Sequence, residues 1–572
     1  MTVLNNEVAG IFSRMADLLE IESDNVYRIR AYRNAARTIA GLPRSVSDMV
    51  ESGESLDDLP GIGKDLAGKI QEIVETGTLS QLEELEKQTP PEVSELMKIP
   101  GLGGKRVAVL HRELGVSGVE DLREKARKGL IRDLEGFGKK TEKNILREIE
   151  EAGNDEGRIN IFEAEENAED LLKHLKKTKG IKDIMVAGSY RRRKETVGDL
   201  DILVSCRKDS GIIQALNKYD KVKRVVSTGK TKSTVILQSG LQVDLRKVPA
   251  VSYGAALHYF TGSKAHNIAV RRLGVKKGLK INEYGVFKGD ERIAGQKEED
   301  VYRQVDLPYI EPELRENDGE IAAAQKGRLP KLVTLDDLCG DLHVHTKETD
   351  GHNTLVEMAE AAGKKGYEYL AVTEHSKRVT MARGFDARKL EEQIKVIEEM
   401  NEKLEGVTLL KGIEVDILKD GSLDLPDGIL RELDVVVCAV HYDRKLSKEE
   451  MTGRIMKAMD NPNFNILAHP TGRLINERAP YEVDLKKVVE KAKETGCFLE
   501  INAHPDRLDL CDRHCRMAKE AGVKLVISTD AHSTSDLAFM RFGVDQARRG
   551  WLEAEDVVNT RRLNDLRELL KR

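Results

Sequence analysis

The chain has 572 residues, several times the size of a typical domain, so more than one domain is expected. Charged residues make up 34% and hydrophobic residues 40%, a balance that excludes both a disordered chain and a membrane protein. No apolar run has the length of a transmembrane helix, the N-terminus lacks a basic signal-peptide region, and six cysteines are too few for a disulfide framework. We therefore expect a cytoplasmic protein with no membrane partner.

The net charge of −6 conceals two asymmetries along the chain. Residues 171–290 hold 26 basic and 9 acidic side chains, a net charge of +17. Residues 336–572 hold 37 basic and 45 acidic side chains, and nine of the 13 histidines lie there. The basic segment indicates a polyanionic partner, and the histidines indicate a second chemistry near the C-terminus.

Residues 1–150 are predicted to be helical, with glycine turns between short amphipathic stretches. One pattern occurs three times, at residues 59–64, 99–104 and 134–139. It consists of a hydrophobic residue, one further residue and Gly-x-Gly, followed by a predicted helix. This pattern is typical of a helix-hairpin-helix motif, in which backbone amides and a helix N-terminus approach a DNA phosphate without reading the sequence. The alternative is three ordinary helix–helix turns. The candidate DNA-binding residues are Gly61, Gly63, Lys64, Gly101, Gly103, Lys105, Gly136 and Gly138.

Lys69 follows the first hairpin, and Arg28, Arg30, Tyr32 and Arg33 are expected near it. A lysine in such a basic pocket is expected to have a lowered pKa and can form a Schiff base with an aldehyde. The alternative is a solvated lysine that binds phosphate. Both interpretations stay open on the sequence.

Residues 155–320 alternate helices and strands, with strand candidates at 184–187, 200–204, 233–238 and 241–248. Asp199 and Asp201 lie two apart at the start of one strand, so both face one side, and Asp244 lies in another strand. Three carboxylates on adjacent strands can hold two Mg²⁺ ions about 3.5–4 Å apart, which suits in-line phosphoryl transfer. The alternative is an isolated pair of strand-edge aspartates beside a solvated basic loop.

Residues 1–310 resemble the family X DNA polymerases, the group of DNA polymerase beta. The matching motifs are the Gly188-Ser189 loop, residues 198–201, residues 243–246 and residues 259–263. The resemblance implies that Asp199, Asp201 and Asp244 bind Mg²⁺ or Mn²⁺ and catalyse nucleotidyl transfer. It implies gapped or primed DNA and deoxynucleoside triphosphates as partners. The implied nucleotide-binding residues are Gly188, Ser189, Arg192, Gly198, Tyr259, Phe260, Gly262, Asn267 and Arg271.

Lys69 falls at the position of the catalytic lysine with which this family cleaves a 5′-deoxyribose phosphate. The chain departs from the vertebrate enzymes at two positions. Asp65 stands where they carry a basic residue beside the lyase site, and Gln242 stands where they carry an arginine near the third carboxylate. The resemblance also implies that the first hairpin holds the downstream side of a gap and the second the primer side.

Residues 336–572 contain seven short apolar runs, at 341–345, 370–375, 409–414, 435–441, 466–469, 498–502 and 525–532. Helical patterns separate most of them, which predicts a βα barrel. Histidines and carboxylates stand at the C-terminal ends of these runs, the end of a βα barrel that carries active sites. Such a set suits two or three Zn²⁺, Mn²⁺ or Fe²⁺ ions. Its members are His343, His345, Asp350, His375, Glu414, His441, His469, Asp530 and His532.

This half resembles the PHP (polymerase and histidinol phosphatase) domain, and the resemblance implies that these nine residues are its metal ligands. Glu374 replaces the usual aspartate before His375. His352, His504 and His514 match no ligand position. The complete ligand set implies an active domain, with 3′–5′ exonuclease or 3′-end processing activity and cleavage at abasic sites as a further candidate.

The expected fold is multidomain: an all-α helix-hairpin-helix region, an α/β nucleotidyltransferase palm and a distorted (β/α)₇-type PHP barrel. The expected function is short-gap filling in DNA repair by a monomer. Two alternatives are a small-molecule phosphoesterase of the histidinol-phosphate type and a DNA-binding module that only places the nuclease. The expected domains are a DNA-binding domain at 1–85, a fingers-like subdomain at 86–153, a palm at 154–252, a nucleotide-selection subdomain at 253–318, a linker at 319–335 and the PHP domain at 336–572.

Overall fold

The computed structural model describes residues 5–22, 24–40, 46–59, 61–89, 91–99, 102–134, 136–152 and 158–571. The chain divides into two compact units, residues 1–157 with 317–319 and residues 158–316 with 320–572. Within the described ranges, no helix combines the length and the apolar character needed to cross a membrane.

The first unit contains two helical cores. One surrounds Phe12 and Tyr32, whose rings meet edge to face with centroids 5.5 Å apart. The other surrounds Val107 and Leu110. The helices are α1 (Asn5–Ile21), α2 (Val26–Ala40), α3 (Val46–Glu51), α4 (Lys64–Thr76), α5 (Ser80–Gln88), α6 (Pro91–Glu95), α7 (Gly104–Leu114), α8 (Val119–Arg127) and α9 (Lys139–Ala152).

The second unit begins with a five-stranded mixed sheet in the order β2-β4-β7-β6-β5, in which only the β4–β7 pair is parallel. The sequence predicted four of these strands and missed β5, whose residues are mostly exposed and carry no apolar alternation. A short pair, β1–β3, accompanies the sheet. The elements are β1 (Ile159–Asn160), α10 (Ile161–Leu175), β2 (Ile181–Val186), α11 (Gly188–Arg191), β3 (Thr196–Val197), β4 (Asp199–Cys206), α12 (Ile212–Asn217), β5 (Val222–Thr228), β6 (Lys232–Leu237) and β7 (Gln242–Val248).

A helical and β-hairpin region follows the sheet. Its core is built around Tyr302, which is fully buried beside the equally buried Arg315. The Arg315 guanidinium is paired with Glu298 at 2.5 Å. The elements are α13 (Tyr253–Thr261), α14 (Lys264–Lys276), β8 (Leu279–Asn282), β9 (Gly285–Lys288), β10 (Glu291–Ala294), α15 (Glu298–Arg303) and α16 (Glu320–Gln325).

The segment predicted as a linker, residues 319–335, is folded in its second-unit part rather than a free spacer. It contains α16, and Glu320 is fully buried with its carboxylate 2.6 Å from His266 Nδ1. Val333 is also fully buried and belongs to the core of the barrel. The Pro and Gly punctuation of this stretch marks turns between packed pieces, which the sequence pattern does not distinguish from an exposed linker.

The C-terminal part is a seven-stranded parallel sheet in sequential order, β11 to β17. A single bridge between Val344 and Ala531 joins the first and last strands, so the barrel is nearly closed. The predicted fold class is therefore confirmed. The elements are β11 (Gly340–Val344), α17 (Leu355–Lys364), β12 (Tyr369–Val372), α18 (Ala387–Asn401), β13 (Thr408–Asp416), α19 (Asp427–Leu430), β14 (Val435–Ala439), α20 (Lys448–Met459), β15 (Ile466–Leu467), α21 (Leu485–Thr495), β16 (Phe498–Asn502), α22 (Asp512–Ala521), β17 (Leu525–Ser528), α23 (Met540–Arg549) and α24 (Leu563–Leu570).

Local sequence fixes the helix ends around the barrel. Thr354 and Ser447 cap α17 and α20 through capping boxes, in which the side chain of the third helical residue returns to the cap. The barrel interior holds its own apolar cluster, and Leu566 and Leu570 of α24 close that cluster from one end. The strand ends that carry the predicted ligands are thereby placed on a rigid frame.

Candidate functional site

The hairpin turns of the first unit present glycine backbone to solvent. Ile62, Leu102 and Phe137 stand between the glycines of the three turns, and each is buried. A Cβ added at Gly63 or Gly103 meets no atom within 4 Å, so internal packing does not require glycine there. The open space instead lets a bulky group such as a phosphate approach the backbone amides.

Individual hairpin residues take the positions that this approach requires. Gly61 and Gly136 each have a φ of +79°, a left-handed conformation that favours glycine. Gly63 and Gly103 are the extended N-cap residues of α4 and α7. Three further predicted residues lie in the same turns: Lys64 begins α4, Lys105 is the second residue of α7, and Gly138 precedes α9. Gly101 lies outside the described residues.

Lys69 does not have the lowered pKa expected for a Schiff-base lysine in a basic pocket. Its Nζ lies 2.6 Å from the Asp65 carboxylate and 5.3 Å from the centre of the Tyr32 ring. Burial lowers the pKa of Lys69, but hydrogen bonds to Asp65 and Tyr32 outweigh it, so the pKa is raised. Two of the neighbouring arginines are paired with acids, Arg28 with Asp24 at 2.7 Å and Arg33 with Asp17 at 3.3 Å.

The three predicted carboxylates of the palm lie on the parallel strand pair. Asp201 and Asp244 are direct register partners on β4 and β7, and Asp199 lies opposite Gln242. Burial raises the pKa of Asp201 to about 7, and the charges of Asp199 and Asp244 add to the effect. Like charges held together in this way are the electrostatic signature of a cation site.

Asp244 has three polar partners, of which the sequence pointed only to Gln242. Lys232 Nζ lies 2.9 Å from Asp244 Oδ1, Thr234 donates to the same oxygen at 2.7 Å, and Gln242 donates to Oδ2 at 2.7 Å. Burial raises the pKa of Asp244, but these partners outweigh it and lower the pKa. Strand pairing between β6 and β7 places Thr234 opposite Asp244, a relationship visible only once the register is known.

The Gly188–Ser189 turn and Gly198 surround this carboxylate group. Gly188 has a φ of +63°, and a Cβ there would lie 2.9 Å from Asp201 Oδ2, so only glycine fits. Ser189 is the second residue of α11, whose N-terminus therefore adjoins the carboxylates. A Cβ at Gly198 would approach Arg158 Nη1 to 2.9 Å.

The other predicted nucleotide-binding residues cluster on α13 and α14. Tyr259 and Phe260 pack edge to face with ring centres 5.0 Å apart. Asn267 donates to the Tyr259 carbonyl at 2.7 Å, and the Arg271 guanidinium lies 5.0 Å above the Tyr259 ring. These contacts connect the two aromatic residues to Asn267 and Arg271, so four of the implied nucleotide-binding residues lie together.

Arg192 lies beside Gly262. Arg192 Nη1 donates to the Thr261 carbonyl at 2.5 Å, and a Cβ at Gly262 would lie 3.2 Å from that nitrogen. Arg192 Nε donates to Glu316 at 3.0 Å. The guanidinium is therefore held by two contacts next to the expected triphosphate site.

The barrel brings all nine predicted ligands together at the C-terminal ends of its strands. Glu414 is central, because His375, His441 and His469 place ring nitrogens 2.6, 3.3 and 3.2 Å from its oxygens. The potential ligand atoms form three groups, and within each group all atoms lie within 4.8 Å of one another. The groups are His345, Asp350, His375 and His532; His343, His345 and Asp530; and His375, Glu414 and His441.

Two ligands have strained backbone conformations. Asp530 and His469 have φ values of +54° and +29°, which non-glycine residues rarely adopt. Such strain persists where the surrounding structure holds a side chain in a functional direction. Here His469 lies 3.2 Å from Glu414, and Asp530 lies 3.2 Å from His345 Nε2.

The protonation pattern of the barrel cluster follows from its charges. Burial lowers the pKa of His375, but Glu414 and Asp350 outweigh it and raise the pKa to about 10. Burial and the neighbouring His375 and His532 lower the pKa of His345 to about 3. Protonated imidazoles thus neutralise the buried carboxylates, and divalent cations that bind there must displace those protons.

The donor set fits metal binding on an independent observation. Among the described residues, His343 Nε2, His345 Nε2 and Glu414 Oε2 are buried atoms without a well-aligned hydrogen bond, although Glu414 Oε2 lies 2.6 Å from His375 Nδ1. Buried polar atoms without partners are costly, and metal coordination would satisfy all three. Imidazole with carboxylate suits Zn²⁺, Mn²⁺ or Fe²⁺, whereas the carboxylates of the palm suit Mg²⁺ or Mn²⁺.

Outer residues orient the predicted ligands, and no motif in the sequence indicates their role. Glu500 accepts from His343 Nδ1 at 2.7 Å, and Asp416 lies 3.3 Å from His441 Nδ1. Glu374, the substituted residue before His375, accepts from the buried Thr346 and Thr349 hydroxyls and points away from the ligand atoms. The sequence signal was available only for Asp416, two residues after Glu414 on one face of β13.

Family models match much of the chain. They are a helix-hairpin-helix domain at residues 3–79, a SAM-like helix-hairpin-helix tandem at 53–114 and 93–151, the DNA polymerase beta thumb at 256–316 and the PHP domain at 341–504.

The chain is similar to the DNA polymerase/3′-5′ exonuclease PolX of Bacillus subtilis, with 39% identity over 570 residues that cover 99% of each chain. It is also similar to a probable phosphatase of Thermoanaerobacter sp., with 32% identity over 40% of this chain and 94% of that one. A probable phosphatase of Clostridium acetobutylicum is 34% identical over 34% of this chain and 78% of that one. The full-length similarity and the thumb, hairpin and PHP matches agree with the two clusters of candidate metal ligands described above, and the chain belongs to the family X DNA polymerases that carry a C-terminal PHP domain.

Proposed function

We propose that this chain fills short gaps in DNA with the palm site and removes 3′-terminal nucleotides with the barrel site. The observation that carries the proposal is the presence of two separate carboxylate-centred clusters in one unit, on β4 and β7 and at the barrel strand ends. Both clusters are built from residues of a single chain, which favours a monomer.

In the palm, Asp199, Asp201 and Asp244 would hold Mg²⁺ or Mn²⁺, and the metal supplies charge stabilisation for in-line attack on a triphosphate. Arg192 and the amides of the Gly188–Ser189 turn bind the triphosphate oxygens. Tyr259 and Phe260 support the sugar of the incoming nucleotide. The exposed hairpin glycines bind the DNA backbone without reading its sequence.

In the barrel, the nine ligands would hold two or three Zn²⁺, Mn²⁺ or Fe²⁺ ions, which supply hydroxide near neutral pH. Glu500 and Asp416 orient His343 and His441 toward the cluster. Arg507 lies 3.6 Å from Asp530 and provides positive charge for a phosphodiester at the rim. We infer a 3′–5′ exonuclease, with cleavage at abasic sites as an additional reaction of the same cluster.

The polymerase assignment is tested by extension of a primer across a one-nucleotide gap. Asp244→Ala is expected to abolish extension, because it removes the carboxylate that β7 contributes to the proposed metal site, opposite Asp201 on β4. Asp209→Ala, an exposed acid on the same sheet region, serves as the matched control and should extend normally. Full extension by Asp244→Ala would refute the assignment.

The nuclease assignment is tested by shortening of a 5′-labelled single strand, together with the metal content of the purified protein. His345→Ala is expected to lose both, whereas His352→Ala, which changes an exposed histidine outside the ligand set, should retain both. Unchanged shortening by His345→Ala would refute this assignment.

The second candidate for the barrel is a small-molecule phosphoesterase, because the barrel is similar to proteins named probable phosphatases. The two candidates differ in their dependence on DNA binding. A nuclease should lose rate steeply as salt rises, since counterion release drives DNA binding. A phosphoesterase acting on p-nitrophenyl phosphate alone, with no competition by single-stranded DNA, would favour the second candidate.

A further inference from the structure

Helix α23 of the barrel packs directly against the palm. Phe542 of this helix belongs to the apolar core of the palm sheet, and its ring lies 6.0 Å from that of Phe162. Arg548, near the end of the helix, pairs with Glu313 at 2.8 Å. The barrel and the palm therefore share one packed interface, and α23 supplies much of it.

Arg549, the last residue of α23, contacts both Arg192 of the palm and Glu316 of the segment that follows it. Only 3% of its side chain is exposed. Its Nη1 donates to the Arg192 carbonyl oxygen at 2.7 Å and lies 3.2 Å from Glu316 Oε1. Its Nη2 donates to Asp512 of α22 at 2.5 Å. Asp512 thus fixes the guanidinium from the barrel side while its other edge faces the palm.

Glu316 connects this arginine to the triphosphate site. The same oxygen, Glu316 Oε1, accepts from Arg192 Nε at 3.0 Å and from Arg549 Nη1 at 3.2 Å. Burial raises the pKa of Glu316, but the charges of Arg192 and Arg549 outweigh it, so the carboxylate stays ionised. Without Arg549, the Glu316 carboxylate would keep its contact with Arg192 and the nearby charge of Lys194, but it would lose the partner that links it to the barrel.

We propose that Arg549 is a positioning residue for nucleotide binding: through Glu316 and the Arg192 carbonyl, the barrel fixes the arginine that binds the incoming triphosphate. This inference rests on the proposed role of Arg192. An arginine that is already held in place binds phosphate without losing further rotamer freedom, so the anchor strengthens triphosphate binding. The barrel is then a structural part of the polymerase site as well as a separate nuclease.

The test compares steady-state gap filling by Arg549→Lys and Glu316→Gln with that of the wild-type full-length chain. Lysine cannot contact Asp512, Glu316 and the Arg192 carbonyl together, because it lacks the planar fork. We expect the KM for the nucleotide to rise about tenfold in each variant, with a smaller change in kcat. The KM for gapped DNA and the exonuclease rate should stay within about twofold of wild type.

The matched control is Arg548→Lys. Arg548 is the neighbouring arginine of the same helix and crosses the same interface, but it contacts Glu313 and not Glu316. This variant should leave the KM for the nucleotide unchanged, which separates loosening of the interface from loss of the Arg192 anchor.

Three results would overturn the inference. One is a folded Arg549→Lys with wild-type KM for the nucleotide. Another is a rise in the KM for DNA as large as that for the nucleotide, and the third is an equal rise with Arg548→Lys. If Arg549→Lys does not fold, Glu316→Gln, which preserves shape and removes only the charge, decides in the same way. Extension by Asp244→Ala would instead refute the polymerase assignment itself, so the two failures are distinguishable.

Discussion

Glu500 Oε1 lies 2.7 Å from His343 Nδ1, and both side chains are fully buried. The glutamate accepts a hydrogen bond from Nδ1–H. Nε2, which makes no hydrogen bond among the described residues, is thereby left to face the candidate ligand cluster. Glu500 Oε2 also accepts from the His469 backbone amide at 2.7 Å. One carboxylate therefore sets the direction of two ligands on different strands.

Glu500→Gln is expected to lower metal affinity in the barrel by roughly 10- to 100-fold, the usual effect of removing a carboxylate that orients a ligating histidine. The exonuclease rate at limiting metal should fall accordingly and recover as metal is added. Metal affinity is measured by titrating the metal and recording the rate of strand shortening at each concentration. Gap filling provides the internal control, and wild-type metal affinity in the variant would show that Glu500 does not orient His343.

Lys69 is expected to show pH-dependent reactivity if it forms a Schiff base. Its pKa is raised by Asp65 and Tyr32, so the unprotonated amine is scarce at neutral pH and increases as the pH rises. Borohydride trapping of a 5′-deoxyribose phosphate end should therefore increase from about pH 7 to pH 9.

Two variants test the origin of this pH dependence. Asp65→Asn removes the charge 2.6 Å from Lys69 Nζ and should move the rise in trapping to lower pH. Lys69→Ala should abolish trapping. Equal trapping by Lys69→Ala would exclude the lysine as the nucleophile and leave it as a phosphate-binding residue.

Leu566 of α24 is fully buried in the cluster that closes the barrel interior. Leu566→Ala should lower the free energy of unfolding of the barrel by about 2–5 kcal/mol, because it removes buried methyl groups and leaves a cavity. Trp551 is the single tryptophan of the chain and lies between α23 and α24, so its fluorescence reports this transition. Val356→Ala, which truncates a side chain that is 48% exposed on α17, is the control and should change the midpoint little. Similar midpoints for the two variants would contradict the assigned packing.

Sequence patterns predicted much of this architecture because its signals are local. Seven apolar runs with histidines or carboxylates at their ends predicted the barrel strands. The two-residue spacing of Asp199 and Asp201 on one strand predicted that both face the same side. Two partners of Asp244, Thr234 and Lys232, were not predictable, because they meet it only through the register of β6 and β7. Strand β5 was missed because it is mostly exposed and lacks alternation.

The roles of Glu500 and Arg549 depend on contacts between residues far apart in the chain. Glu500 stands 157 positions from His343, and Arg549 stands 357 positions from Arg192. No motif or periodicity connects such pairs. Lys69 shows the opposite error, since its basic neighbours in sequence predicted a lowered pKa, whereas Asp65 one helical turn away raises it.

The central claim is that two independent metal sites act on the same 3′ end in opposite directions. A time course on one 5′-labelled primer–template, with and without nucleotides, tests it for wild type, Asp244→Ala and His343→Ala. Wild type should lengthen the primer with nucleotides and shorten it without them. Asp244→Ala should only shorten, and His343→Ala should only lengthen. Lengthening by Asp244→Ala, or shortening by His343→Ala at the wild-type rate, would contradict the account.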